Sequence, residues 1–290
     1  MTRVAYLGPA GTFSADALTA AGGRAELDPV ATPTVYDAIR AVADRRAELA
    51  FVPFENSTEG SVRATLDTLA FDAPEVTIVG EHDEPIRHSL IARTKLDLAE
   101  VEVVLSHPQA SSQCARFLRA ELPRAEVRAA PSTAEAVREV GAREERWAAL
   151  GAAGAAEIYD CVVLREGVED EPDNLTRFVW IALGEGRPRE AEVGGRWRTT
   201  LCFSELGADH PGALVEALRE FSSREVNLVR IESRPLRRGM GRYMFFVDLE
   251  GAEREPAVRE AIGALREKAE SVRVLGSYPL DVSGPPALEP

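Results

Sequence analysis

Cysteine is scarce: Cys114, Cys161 and Cys202 are an odd number in 290 residues, widely spaced and without a CxxC. That excludes a disulfide framework and points to reduced thiols serving as small apolar residues in a soluble cytoplasmic protein. Histidine is scarce as well. His82, His88, His107 and His210 show neither HxH nor HExxH spacing, so no metal centre is expected. No apolar run approaches membrane-spanning length, and the one opening MTRVAYLGPAG is too short for a secretion signal. Basic residues are outnumbered, 34 against 48 acidic, for a net charge of −14. A field of that sign repels phosphate backbones and anionic lipid, so neither nucleic acid nor membrane is expected as a partner. It also repels an anionic substrate, unless a local site reverses the sign.

Hydrophobic residues are plentiful, 45% of the chain, enough to bury a sizeable core, and the length suits two domains. From residue 1 to about 183, short apolar runs alternate with Ala-rich helical stretches, the pattern of α/β layers with largely parallel sheets. Strands are expected at 4–7, 49–54, 101–106, 125–130 and 147–151, and extended chain at 75–82 and 86–92. Helices are expected at 12–21, 34–48, 61–71, 107–122, 132–142 and 152–159. A lobe of about 79–157 inserted into another of about 1–78 and 158–183 would leave a cleft between the two. Residues 184–198, rich in Gly, Pro and charge, read as a linker. The pattern over 199–279 is βαββαβ, a ferredoxin-like split arrangement, and 280–290 reads as a disordered tail.

The chemistry gathers where strands end. GPAGTFS (8–14), ENSTEGS (55–61), HPQASS (107–112) and PST (131–133) each open a helix with small or hydroxyl residues: Thr12, Ser14, Ser57, Ser61, Ser106, Ser132 and Thr133. Helix starts offer free N–H groups and the positive end of the dipole, which suits carboxylate or phosphate. In open α/β sheets, ligands bind beyond the carboxyl ends of the strands. Any one of these residues could be an ordinary N-cap; several on one rim make an anion site in an acidic protein. GPAGTFS fits neither GxGxxG nor GxxxxGK[ST], so nucleotide loops are not indicated. The stretch DNLTRFVWIAL (173–183) sets a hydroxyl and a guanidinium side by side at the mouth of an apolar strand. Burying an unpaired hydroxyl there costs about 1–3 kcal/mol, and a charge more. Either the pair is tied up internally or it waits for a ligand.

These pieces, in this order, resemble the bacterial prephenate dehydratases: GPAGTFS, VPFENSTEGSV (52–62), SHPQASSQC (106–114), STAEA (132–136), NLTRF (174–178), DHPGAL (209–214) and IESRP (231–235). Two small departures are Cys161, where an aliphatic residue is usual, and Val229, where Ser or Thr is common. The resemblance implies an α/β fold: a two-lobed catalytic domain of the periplasmic-binding-protein kind, plus a ferredoxin-like ACT domain. It implies conversion of prephenate to phenylpyruvate in phenylalanine biosynthesis, with loss of water and carbon dioxide. Aromatisation drives that reaction, so no redox cofactor or metal is needed.

By the same resemblance Thr176 is the catalytic residue, donating a hydrogen bond or proton to the leaving hydroxyl directly or through water. Arg177 is assigned a substrate carboxylate, with an internal pair to Glu55 or Asp173 as the alternative. Asn56 and Ser57 are assigned the pyruvyl end, and Phe178 the core or the pocket floor. Glu55 is expected to orient Asn56 or pair Arg177. Thr12, Ser14, Ser106 and Gln109 are lesser candidates, while His88 and His107 are read as structural rather than as acids.

The C-terminal segment resembles an ACT domain, implying an aromatic amino acid effector, L-phenylalanine or tyrosine. Ala213 and Leu214 would present backbone groups to its carboxylate. Asn227, Glu232 and Ser233 are candidates for its ammonium and for a subunit interface, and Arg234 either joins them or braces the strand end. A homodimer or homotetramer through ACT and catalytic domains is expected, because the sheet leaves open edges. Two competing readings are an arogenate dehydratase and a non-catalytic small-anion binding protein.

Overall fold

A computed structural model describes residues 1–184, 195–206, 211–280 and 284–286. The middle of the expected linker, Asp209 and His210 of DHPGAL, and most of the expected tail lie outside the described residues. The first lobe runs β1 (Thr2–Leu7), α1 (Phe13–Gly22), β2 (Leu27–Thr32), α2 (Val35–Ala43), β3 (Leu49–Asn56), β4 (Gly60–Ser61), α3 (Arg63–Asp67) and β5 (Val76–Pro85). The second runs β6 (Ser89–Ala92), β7 (Val103–Ser106), α4 (Pro108–Gln113), α5 (Ala115–Glu121), β8 (Glu126–Ala129), α6 (Thr133–Gly141), β9 (Trp147–Gly151), α7 (Gly154–Ile158) and β10 (Val162–Glu166). The chain then returns to the first lobe as β11 (Leu175–Leu183), which inserts between β3 and β5 in the sheet order β2-β1-β3-β11-β5. Two α/β lobes with a cleft between them result, as the sequence pattern implies.

The lobe boundary differs from the expected one. β5 pairs antiparallel with β11 from Val76 to Pro85, so the first lobe extends to about residue 85. β10 pairs with β6, so 162–166 belongs to the second lobe. Strand β2 was not expected: LDPVAT carries little apolar signal, and as an edge strand it can hold Pro29. The expected helix 107–122 is two helices meeting at Cys114.

β11 is a strand because FVWIAL is apolar on both faces and buried on both. Trp180 and Phe178 pack with Phe51, Val4 and Leu18 on one side, and Val179 and Ile181 with Ile39, Val42 and Leu66 on the other.

The C-terminal domain is β12 (Trp197–Ser204), α8 (Ala213–Ser222), β13 (Leu228–Pro235), β14 (Tyr243–Glu250), α9 (Pro256–Arg266) and β15 (Ser271–Pro279). Its strand order β13-β14-β12-β15, all antiparallel, is the ferredoxin-like one. One face carries the helices on Leu201, Phe203 and Val247. The other puts Cys202, Phe246, Leu275 and Tyr278 into one apolar cluster with Val52, Phe54 and Val179 of the first lobe.

Candidate active site

A cavity of about 450 Å³ lies in the cleft, a size suited to a small-molecule ligand. The first lobe supplies Thr12, Ser14, Asn56, Thr176 and Phe178; the second supplies His88, His107, Gln109, Gln113, Ser132 and Thr133. Three helices start on its wall, capped by Thr12 (α1), His107 (α4) and Ser132 (α6). Among the described residues, no Asp, Glu, Lys or Arg lines it. Its polarity is therefore that of helix N-termini and neutral donors, positive in potential without a full charge.

Hydrogen bonds inside it run in one direction, set by the Asn56 amide. Asn56 Oδ1 accepts from the Thr58 and Glu59 N–H groups, each at 3.0 Å, which fixes the amide. Asn56 Nδ2 must then donate to Asn174 Oδ1 at 2.8 Å and to Thr176 Oγ1 at 2.9 Å. Asn174 Nδ2 in turn faces Gln113 Oε1 at 3.4 Å, so that oxygen is an acceptor. His88 Nε2, 3.0 Å from the same oxygen, carries the proton. Two consequences follow. Thr176 receives a hydrogen bond and keeps its own proton to give. His88 is a neutral imidazole whose Nδ1 is buried and unpartnered among the described residues. Burial, the largest influence, lowers the His88 pKa from its ordinary value.

Ser14 and Thr12 line the cavity, Thr12 with its hydroxyl donated to Pro9 O at 2.9 Å. Phe178, assigned to the core or the pocket floor, stacks on Phe51 with centroids 5.0 Å apart and forms part of the wall.

Arg177 requires a correction. Alternation along β11 sends Thr176 and Phe178 to the cavity and Arg177 to the opposite face. Its guanidinium does not line the cavity; Nη1 lies 3.2 Å from both Glu55 Oε2 and Asp248 Oδ2. The internal pair with Glu55 is thus present, and the substrate-carboxylate role is not supported. Burial opposes the charge on Arg177, but Glu81 and Asp248 more than offset it and the pKa is raised. Glu55 is on this same far face. Ser57 is also outside the cavity: its N–H donates to Leu175 O and its Oγ accepts from Leu175 N, pinning the mouth of β11. Ser106 donates to His107 O and is likewise not in the wall.

Sequence reasoning missed Gln113 and the bridging role of Asn174. Both sit in quoted motifs, but nothing in their spacing distinguishes them from neighbouring polar residues.

The effector candidates divide by the same parity. Ser233 pairs with Phe245, on the helix face; Glu232 pairs with Phe246, on the face toward the first lobe. Arg234 shares the Glu232 face, and its Nε and Nη2 donate to Asp67 at 3.1 and 2.7 Å. These bonds tie the end of β13 to the first lobe, and Glu232 is turned from Ser233. Ala213 and Leu214 open α8, and Asn227 donates to Glu250 at 3.1 Å.

Comparison with known proteins decides the family. A model described as prephenate dehydratase matches residues 4–185, and one described as ACT domain matches 206–267. The chain belongs to the prephenate dehydratase family. A prephenate dehydratase of Mycobacterium marinum is 41% identical over 96% of this chain and 89% of its own. The crystal structure of the family member from Arthrobacter aurescens in complex with L-Phe superposes with a TM-score of 0.86, at 35% identity, covering 99% of this chain and 93% of that one. GqqA, described as a novel type of quorum quenching acylase, superposes at 0.84 with 31% identity, covering 96% and 98%. Among the described residues, no helix is long and apolar enough to cross a membrane.

Proposed function

We propose that this chain dehydrates and decarboxylates prephenate to phenylpyruvate, with Thr176 as the donor to the departing hydroxyl. The observation that carries the reading is the hydroxyl of Thr176, polarised by Asn56 and free to donate, in a cavity built of helix N-termini without a formal charge. The ring–carboxylate bond breaks and its electron pair completes the aromatic ring. The carbon–oxygen bond opposite breaks, and the departing hydroxide takes one proton to become water. The dianion becomes a monoanion, so the site must hold two carboxylates without trapping the one that leaves as gas. Helix N-termini and neutral donors such as Gln109 and Ser14 suit that better than a lysine or arginine ion pair would.

The lack of a carboxylate among the described residues of the wall also favours prephenate over arogenate, whose ammonium would find no counter-charge there. An acylase reading is disfavoured by the hydrogen bonds. His88 Nε2 is spent on Gln113 and His107 Nδ1 accepts from Gln109 N at 3.3 Å, so among the described residues no serine is paired with an imidazole.

The ACT segment supports regulation by L-phenylalanine, the ligand named for the Arthrobacter structure. Leu214 and Ser233 are the anchor candidates that remain, with Asn227 at the sheet end. Exposed Val229 and Ile231 on the edge strand β13 support self-association. A biosynthetic role of this kind belongs in the cytoplasm.

The test is phenylpyruvate formation from prephenate, followed by its alkaline absorbance, for wild type and Thr176→Ala with and without L-phenylalanine. Product from wild type alone supports the reading. Equal product from Thr176→Ala removes Thr176 from the mechanism, and none from folded wild type sinks the activity.

A further inference from the structure

On the face of β11 away from the cavity, the C-terminal domain reaches both residues that set Thr176. We propose that Asp248 is a positioning residue for the dehydration, acting through Arg177 and Arg230 on the two strands that hold Thr176 and Asn56. The proposal rests on the activity proposed above.

Asp248, on β14, is fully buried. Its Oδ1 accepts from Thr200 Oγ1 at 2.8 Å. Its Oδ2 accepts from Arg230 Nε at 2.9 Å and from Arg177 Nη1 at 3.2 Å. Arg177 directly follows Thr176. Arg230 continues outward, its Nη1 donating to Ser61 Oγ at 3.1 Å. Ser61 lies on β4, the short strand paired with β3 at Glu55 and Asn56. One carboxylate of the C-terminal domain is therefore tied to β11 beside Thr176, and to β4 beside the residue that polarises Thr176.

The backbone at this point needs such a tether. The β3–β11 ladder slips register between Arg177 and Phe178: Arg177 pairs with Glu55, but Phe178 with Pro53. A bulge interrupts the hydrogen bonds and re-aims side chains; pairing with β5 runs unbroken from Leu175 to Trp180, so the slip loosens the β3 side, where Asn56 meets Thr176. Cohesion between domains does not account for the charges. Phe246, Leu275 and Tyr278 already pack on the first lobe, and a buried ion pair contributes little net stability against an apolar contact. What it adds is direction.

The arrangement also gives the C-terminal domain a route to the cavity. Arg230 lies on β13, three residues from Ser233. Arg177 Nη1 is as close to Glu55 on its own sheet as to Asp248, 3.2 Å in each case. A shift of β13 and β14 would leave the guanidinium to the carboxylates of its own sheet, Glu55, Glu81 and Asp83, and relax the strand mouth.

The test uses the full-length chain. Asp248→Asn removes the charge at constant size, and Arg177→Lys keeps a charge but loses the fork. In each, kcat should fall about tenfold while KM for prephenate stays within about twofold. The response to L-phenylalanine should shrink in both, and the double variant should be no worse than the worse single. Asp248→Glu, with its carboxylate restored, should recover part of the lost kcat. Folded Asp248→Asn with wild-type kcat and effector response overturns the proposal. So does a change in KM alone, or a lowered Tm with unchanged kcat. If Asp248→Asn does not fold, Arg177→Lys and Ser61→Ala carry the test, and unchanged kcat in both overturns it. A wild type that makes no phenylpyruvate fails the activity reading instead, before any variant is compared.

Discussion

Asn56 Nδ2 and Thr176 Oγ1 lie 2.9 Å apart, facing each other across the β3–β11 pairing. Because two backbone N–H groups hold the other end of the Asn56 amide, the nitrogen is the donor and the threonine the acceptor. That polarity is what makes a weak acid useful: the hydroxyl is pre-aligned and its own proton points elsewhere. Thr176→Ala should lower kcat by about 10²–10⁴-fold. Asn56→Asp should do nearly the same for a different reason, since a carboxylate there accepts the hydrogen bond that the threonine hydroxyl would otherwise donate to substrate. Steady-state kinetics on prephenate separates the cases; Asn56→Asp with full kcat would show that the direction of this bond is irrelevant.

A wall without charge predicts what a charge would do. Gln113→Glu keeps an oxygen for His88 Nε2 and Asn174 Nδ2, so the local bonds survive. It adds a negative charge within reach of a dianion, where like charges about 4 Å apart repel by roughly 4 kcal/mol at an effective dielectric of 20. KM for prephenate should rise by about 10²-fold or more, and less for arogenate, whose ammonium gains a partner. Equal KM increases for the two substrates would mean that the amino or keto end does not approach Gln113.

The layers, the two-lobed plan and the ferredoxin-like repeat were legible because periodicity reports directly on burial. The helix caps Thr12 and Ser132 were legible too, since capping is local chemistry. Arg177 was not. A motif places it beside Thr176, but the pleat sends neighbours to opposite faces, and its partner Asp248 is 71 residues away on another domain. Glu232 and Ser233 failed to group for the same reason. Strand parity is readable in the sequence; which face meets which domain is not. β2 was missed because LDPVAT is an edge strand that buries little.

His88 predicts an acid-sensitive stability. Its folded pKa is depressed from the ordinary 6.5, chiefly by burial. Below that value the unfolded chain binds a proton that the folded one resists, so the unfolded state holds more protons and stability falls as pH falls. The stability is fully present above the unfolded pKa and is lost below it. Tm measured from pH 7.5 down to about 5 should drop more for wild type than for His88→Gln, which cannot charge. Parallel curves for the two would place the acid sensitivity elsewhere.

Gly11 joins the lobes by being a glycine. Its φ is +80°, and a Cβ there would meet Tyr159 Cε2 at 3.1 Å and Ala155 Cβ at 3.3 Å, both in the second lobe. Next to it, Tyr159 donates its hydroxyl to Ala10 O at 2.9 Å. Gly11→Ala should therefore carry two costs, a backbone one of about 1 kcal/mol and a steric one borne by the approach of the lobes. Gly241, with φ +81° and nothing within 4 Å of its absent Cβ, isolates the first. Urea denaturation should show Gly241→Ala losing only the backbone cost, with KM for prephenate unchanged. Gly11→Ala should lose more, by about 1–2 kcal/mol, and raise KM, because Thr12 and Ser14 face Ser132 and Thr133 across the gap that this contact sets. Equal stability losses with KM unmoved in both would mean that the cleft takes its width from somewhere other than the Gly11–Tyr159 contact.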